Sequence, residues 1–264
     1  MFLGLDTGTE QFKNSHLRSY FLTLRQRNLS SNSIKSYTKG IKAFLTWMYQ
    51  EEYISDNLAQ RCTLPKAQRK TIDVLSSEEI AALFKSFDIK RYGSLRDFCI
   101  CALMLDSGLR RAEIVRLKLG DVHLSEGYII VNGKGDKQRM VPLGFRSRKH
   151  LIKYIALRPV VVTHDSLFLT KTGTPITEYT IHRLFKTLKA QKLAQGIFIP
   201  RIHAHLLRHT FATQYLENGG NIYALQLILG HTSLDMVKRY VHLTQAKTVV
   251  NFAQYSPLDN LPKR

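Results

Sequence analysis

The sequence predicts a mainly α-helical fold with a small antiparallel β-sheet, and three observations carry that prediction. Apolar residues recur at spacings of three and four through most of the chain, the mark of helices that bury one face. Only two short runs, Tyr128–Val131 and Gln138–Leu143, read as strands, and the glycine-bearing segment Asn132–Lys137 between them reads as their turn. A basic, proline-containing stretch from Cys62 to Thr71 shows no apolar period and separates a small helical region from a larger one.

In chain order, Leu17, Phe21 and Leu24 line one side of a first helix, which Asn28–Asn32 breaks. Ile34, Tyr37, Ile41, Phe44, Leu45 and Met48 give a second helix an apolar packing face, with Lys35, Lys39 and Lys42 as a cationic stripe on roughly the opposite side. Ser76 with Glu79 three residues on forms a capping box that starts a helix through Phe87. A helix from Leu95 to Asp106 stops near Gly108, and helix resumes from Leu109 to Leu117. After the two strands, helices are expected over 146–157, 178–193, 204–218, 221–229 and 233–242, with Gly219–Gly220 and Gly230 as stops. The resulting division is residues 1–64 as a small helical domain, 65–75 as a basic linker, and 76–264 as a larger domain with a C-terminal tail.

At 264 residues and 44% hydrophobic content, the chain has material for a large domain plus a small one and is not broadly disordered. Its charge is the outlier, since 39 Lys+Arg against 20 Asp+Glu leaves +19. That excess attracts a polyanion and supplies the counterion-release term of nucleic-acid binding. No apolar run approaches the roughly 18 residues of a spanning helix, and the N-terminus has no signal-peptide pattern, so a cytoplasmic protein without membrane partners is expected. Cys99 and Cys101 fall in an apolar run and, with Cys62, read as reduced thiols, implying neither a disulfide nor a zinc site.

The chemistry-bearing residues cluster late in the chain. His205 and Arg208, three apart on a helix, can face one site, and arginine's planar fork matches two phosphate oxygens. His231 follows a helix stop, and Tyr240 lies about two turns along the next helix. A phenol oxygen attacks a phosphodiester only where cations surround the phosphate and a base takes the phenolic proton. Arg110 sits at a glycine-marked helix junction, and Lys134 on the glycine-flanked hairpin turn. A rival reading pairs His205 and His209 as zinc ligands with His203 as a third, although Leu206 stands where a zinc protease needs glutamate. Lys35, Lys39 and Lys42, the linker residues Lys66, Arg69 and Lys70, and Lys137 and Arg139 of the hairpin are candidate DNA contacts.

Ser107-Gly108-Leu109-Arg110, Gly133-Lys134-Gly135-x-Lys137-x-Arg139, His205-x-Leu207-Arg208-His209, Leu229-Gly230-His231 and Tyr240 occur in that order. Together they resemble the tyrosine recombinases of the phage-integrase and Xer type, from about residue 65 to 245, with Ser107 where that family usually has Thr. The resemblance implies a helical catalytic domain behind a helical DNA-binding domain, here short enough to read as partial. It implies that Tyr240 becomes a 3′-phosphotyrosine, Arg110 and Arg208 clamp the phosphate, and His205 helps take the tyrosine proton. His231 would stabilise the phosphorane-like state, Lys134 would protonate the leaving 5′-oxygen, and Glu113 would support the first arginine. No metal or cofactor is required by that scheme. The implied partners are double-stranded DNA and a homo-tetramer assembled on it by exchange of the tail, where Ala246, Val249, Val250 and Ala253 form an apolar stripe. Accessory recombination factors are a further implied partner class. The alternatives are a type IB topoisomerase-like relaxase, a catalytically silent DNA-binding relative, and a zinc hydrolase.

Overall fold

The structure, a computed structural model, describes residues 13–27, 29–61, 72–133, 138–159 and 164–230. The chain divides into two compact units, Met1–Thr71 and Ile72–Arg264. Among the described residues, no helix is long and apolar enough to cross a membrane.

In the first unit, α1 (Asn14–Gln26) and α2 (Ser31–Gln50) are followed by a 3-10 turn at Leu58–Arg61. Ser30 starts α2 by accepting the Ser33 N–H at 3.1 Å, the side-chain cap that satisfies an orphan donor of the first turn. Leu17, Leu45, Met48, Ile54, Leu58 and Ala59 form the core, with Phe21 and Ile41 packed against it. The apolar face of α2 is narrower than its sequence suggests, because Tyr37 and Phe44 are 51% and 56% exposed. Among the described residues, one partner helix and a short turn pack on α2, which buries the stripe through Ile34, Thr38, Leu45 and Met48 and leaves the neighbouring aromatics out. Lys35 and Lys42 are partly buried on this helix, and Lys39 is exposed.

The second unit is built around α4 (Tyr92–Asp106), which buries residues on every side from Leu95 to Met104. A helix apolar all round has to be surrounded, and α6 (Phe145–Ala156) and α8 (Ala204–Glu217) pack directly on it. Cys99 and Cys101 are free thiols inside this core. Ahead of it, α3 (Ser77–Lys85) starts at the expected capping box: Glu79 N–H donates to Ser76 Oγ at 3.2 Å, and Ser76 N–H to Glu79 Oε2 at 2.9 Å. After α4 come α5 (Arg111–Arg116) and an antiparallel sheet ordered β1 (Val122–His123), β2 (Tyr128–Asn132), β3 (Gln138–Pro142). β1 is an addition to the two strands legible in sequence; two residues are too few to show an alternation. β2 and β3 pair from Tyr128–Pro142 to Asn132–Gln138. α7 (Glu178–Ala190) and α9 (Ile222–Leu229) complete the described helices, and the helix expected over 233–242 lies outside the described residues.

Two ties fix the ends that matter for the site. Asp106, the last residue of α4, accepts the Gly144 N–H at 3.0 Å and the Ser147 hydroxyl at 2.8 Å, holding the start of α6. Ser107 is fully buried and donates its hydroxyl to the Pro142 carbonyl at 2.9 Å, joining the end of α4 to the end of β3. A hydroxyl is the group this tie requires, and serine supplies it as well as threonine would.

Candidate active site

The turn between α4 and α5 places the first candidate. Gly108 has φ +64°, and a Cβ there would lie 2.5 Å from Phe211 and 2.8 Å from Leu229 side-chain atoms. Only glycine fits that left-handed, crowded position, which lets the backbone run against α8 and α9 and delivers Arg110 as the N-cap of α5. Glu113, one turn on and 5% exposed, accepts the Arg110 N–H and its Nη1, each at 2.8 Å. The guanidinium of Arg110 stays 33% exposed, and its Nη2 reaches the Gly230 carbonyl at a loose 3.5 Å.

Arg208 comes from α8 and is buried. Its Nη1 donates to the Gly108 carbonyl and its Nη2 to the Leu229 carbonyl at 2.8 Å. Arg208 is therefore anchored on the Leu229 carbonyl, and Arg110, held by Glu113, lies at the neighbouring Gly230 carbonyl. His205, one turn before Arg208, is exposed and lines a cleft of about 450 Å³ together with Arg110, Arg111, His182, Lys186 and Lys189. This cleft has a rim of cations, and an Arg111–Glu178 ion pair at 2.6 Å bridges α5 and α7 beside it.

His203 serves as the N-cap of α8, its Nδ1 accepting the Leu206 N–H at 3.0 Å. Burial first, and then the neighbouring His205 and Lys189 charges, hold His203 below the ordinary histidine range, which keeps that nitrogen an acceptor. Its ring lies 6.5 Å from that of His205, and the His205 and His209 rings are also 6.5 Å apart. Among the described residues, no three His, Cys, Asp or Glu side chains gather as a metal-holding group.

Arg139 is where the structure departs from the sequence reading. Expected on DNA, it is 12% exposed and turned inward. Its Nη1 and Nη2 donate to the two oxygens of Glu113 at 2.9 Å each, and its Nε donates to the Ile228 carbonyl at 2.7 Å. The sequence held a usable signal, because Arg139 shares strand parity with buried Val141 and pairs across from buried Val131. Apolar residues at both 140 and 141 hid which parity faces inward; Met140 proves to be 62% exposed. Burial alone would raise the Glu113 pKa, yet the hydrogen bonds and charge of Arg139, and then Arg110, outweigh it and hold the carboxyl below its ordinary 4.5.

Of the other sequence-selected residues, Lys66, Arg69, Lys70, Lys134, Lys137, His231 and Tyr240 lie outside the described residues. The chain does set limits on three of them: β2 and β3 flank Lys134 and Lys137 in sequence, and His231 directly follows Gly230.

The family model described as "Phage integrase family" matches residues 73–247. The tyrosine recombinase XerD of Staphylococcus aureus is 31% identical over 232 residues, covering 86% of this chain and 77% of that protein. Among solved structures, XerA recombinase is similar with TM-score 0.59 and 27% identity, covering 96% of this chain and 87% of that one. The XerH site-specific recombinase bound to its difH substrate gives TM-score 0.74 at 22% identity, over 92% of this chain and 72% of that one, a likeness of fold.

The depressed Glu113 pKa makes a prediction about acid stability. A carboxyl whose folded pKa lies below its unfolded value stabilises the fold above the unfolded value, and that contribution is lost as pH falls through the folded one. Denaturant unfolding of the wild type and Glu113→Gln at about pH 6 and about pH 3 should therefore show a stability gap that is large at the higher pH and shrinks at the lower. A gap that widens in acid would mean the carboxyl is not held ionised by its arginines.

Proposed function

The chain belongs to the phage integrase family of tyrosine recombinases, and on that premise we propose that Tyr240 is the nucleophile that carries out its reaction at the Arg110–Arg208 site. The protein is a site-specific DNA recombinase, an enzyme that cuts and rejoins strands. The observation that carries the residue assignment is the placing of Arg110, held by Glu113, and Arg208, bonded to the Leu229 carbonyl, at the end of α9 beside the cleft that His205 lines. Two permanently charged forks from different helices, held side by side, suit the non-bridging oxygens of one phosphate.

The steps balance without an external energy source. The phenolic oxygen of Tyr240 bonds to phosphorus as its proton passes to His205, and the bond to the 5′-oxygen breaks. Lys134 gives the departing oxygen a proton, leaving a 3′-phosphotyrosine and a 5′-hydroxyl. Arg110, Arg208 and His231 stabilise the negative charge that spreads over the equatorial oxygens. The ester retains the energy of the broken bond, so a 5′-hydroxyl from another strand reverses the step with no ATP. That exchange of partners distinguishes recombination from relaxation or simple cleavage.

Double-stranded DNA is the substrate of this scheme; XerH is solved bound to its difH substrate and the Tn1549 transposon integrase in complex with a circular intermediate DNA. The net charge of +19 favours duplex binding through counterion release. Residues 1–64 serve as a second DNA-gripping domain, with Lys35, Lys39 and Lys42 as its phosphate contacts and Lys66, Arg69, Lys70 and Lys137 as contacts along the linker and hairpin. Four copies assemble on two sites, each lending the apolar stripe Ala246, Val249, Val250 and Ala253 to a neighbour. The fitting biological settings are integration or excision of a mobile element and resolution of chromosome or plasmid dimers.

Tyr240→Phe should bind its DNA site normally and form no covalent protein–DNA adduct on denaturing gels; an adduct in that variant would identify a different nucleophile. Arg110→Lys and Arg208→Lys should each lose about a hundredfold or more in cleavage rate, since lysine cannot reproduce the fork. Removing residues 245–255 should leave DNA affinity intact and abolish higher-order complexes on native gels, and wild-type recombination by the truncated protein would refute the exchange.

A further inference from the structure

We infer that Arg139, on β3, is a positioning residue of the active site: it sets Arg110 through Glu113 and sets the end of α9, on which Arg208 is anchored. The inference rests on the function proposed above and adds a residue to it.

A helix leaves its last four carbonyls without intrahelical partners, and buried ones must be satisfied elsewhere. In α9 the Gln226 and Leu227 carbonyls accept the Gly230 N–H, whose residue adopts the left-handed conformation at φ 62°. The Ile228 carbonyl accepts Arg139 Nε at 2.7 Å, and the Leu229 carbonyl accepts Arg208 Nη2 at 2.8 Å. Arg139 thus fixes the peptide immediately before the one that orients Arg208.

The other end of the same guanidinium fixes Arg110. Both Glu113 oxygens accept from Arg139, at 2.9 Å each, and both also accept from Arg110, at 2.8 Å. With Arg139 absent, a 5%-exposed carboxylate would keep one guanidinium and would be free to rotate toward it, dragging Arg110 from its place over the cleft. Lysine at 139 offers charge without a fork, so it cannot hold both Glu113 oxygens and the Ile228 carbonyl at once.

Gly230 gives independent support. A Cβ at this position would meet Cδ, Nε and Nη1 of Arg139 at 3.1 Å, in addition to the positive φ. The positive φ of Gly230 favours glycine in the Leu229-Gly230-His231 motif, and its bare Cα lets Arg139 lie directly against the end of α9.

The test uses the full-length protein, with single-turnover cleavage of a duplex site at saturating DNA, binding titrations at several salt concentrations, and thermal unfolding to establish that each variant is folded. Arg139→Lys should cleave about tenfold or more slowly, and Arg139→Met about a hundredfold, with Kd within about threefold of wild type and the salt dependence unchanged. If Arg139→Met fails to fold, the charge-retaining Arg139→Lys decides the matter. Wild-type cleavage by folded Arg139→Lys would overturn the inference. So would weaker binding with a salt slope reduced by about one, which marks a direct phosphate contact. Equal losses of rate and affinity would also overturn it, since they report a damaged fold and not a misplaced site. The wild-type control separates the two claims: no Tyr240 adduct in wild type defeats the proposed function itself, whereas normal cleavage by wild type and variants alike defeats only the role of Arg139.

Discussion

The arrangement of charge at the end of α9 is the constraint on which the rest of the site depends. Arg139, Arg208 and Arg110 contact the carbonyls of Ile228, Leu229 and Gly230 in succession. The C-terminus of a helix carries about half a negative charge, so cations are drawn there without needing a ligand. That attraction preorganises guanidiniums which would otherwise repel one another. Glu113 contributes a single negative charge against three positive ones, so the assembly keeps a positive excess suited to an anion with several acceptor oxygens.

The three arginines divide the work by their depth. Arg139 and Arg208 are largely buried, and bonds to backbone carbonyls hold each of them rigid. Arg110 is the most exposed and has the longest contact with the helix end, leaving an edge toward the cleft. Every element involved reaches this point for a reason written elsewhere in the unit. Gly108 permits the close crossing, the Ser107 hydroxyl ties α4 to β3, and the inward parity of β3 aims Arg139. The geometry of the three arginines is thereby fixed by packing, the preorganisation that an electrostatic site requires.

Much of this was legible in the sequence, for physical reasons that differ by element. Capping chemistry is local, so the Ser76–Glu79 box announced α3 directly. Glycines at 108 and 230 marked helix junctions because a left-handed backbone almost demands that residue. The order of Arg110, His205 and Arg208 was readable, and the structure brings Arg110 together with each of the other two. Strand parity with Val141 hinted at the inward turn of Arg139, but its role was not readable, because its carboxylate partner Glu113 is distant in sequence. Tyr37 and Phe44 failed in the opposite direction: their apolar character promised burial, but among the described residues they stay 51% and 56% exposed. β1 was too short for any periodicity to emerge.

The most direct measurement of the central claim is a crystal structure of the protein on a duplex containing its cleavage site. The account predicts that Arg110 and Arg208 each lie within about 3 Å of different non-bridging oxygens of the phosphate facing Tyr240, with Arg208 still bonded to the Leu229 carbonyl. A scissile phosphate held by other side chains, with the end of α9 and its arginines left facing solvent, would contradict it.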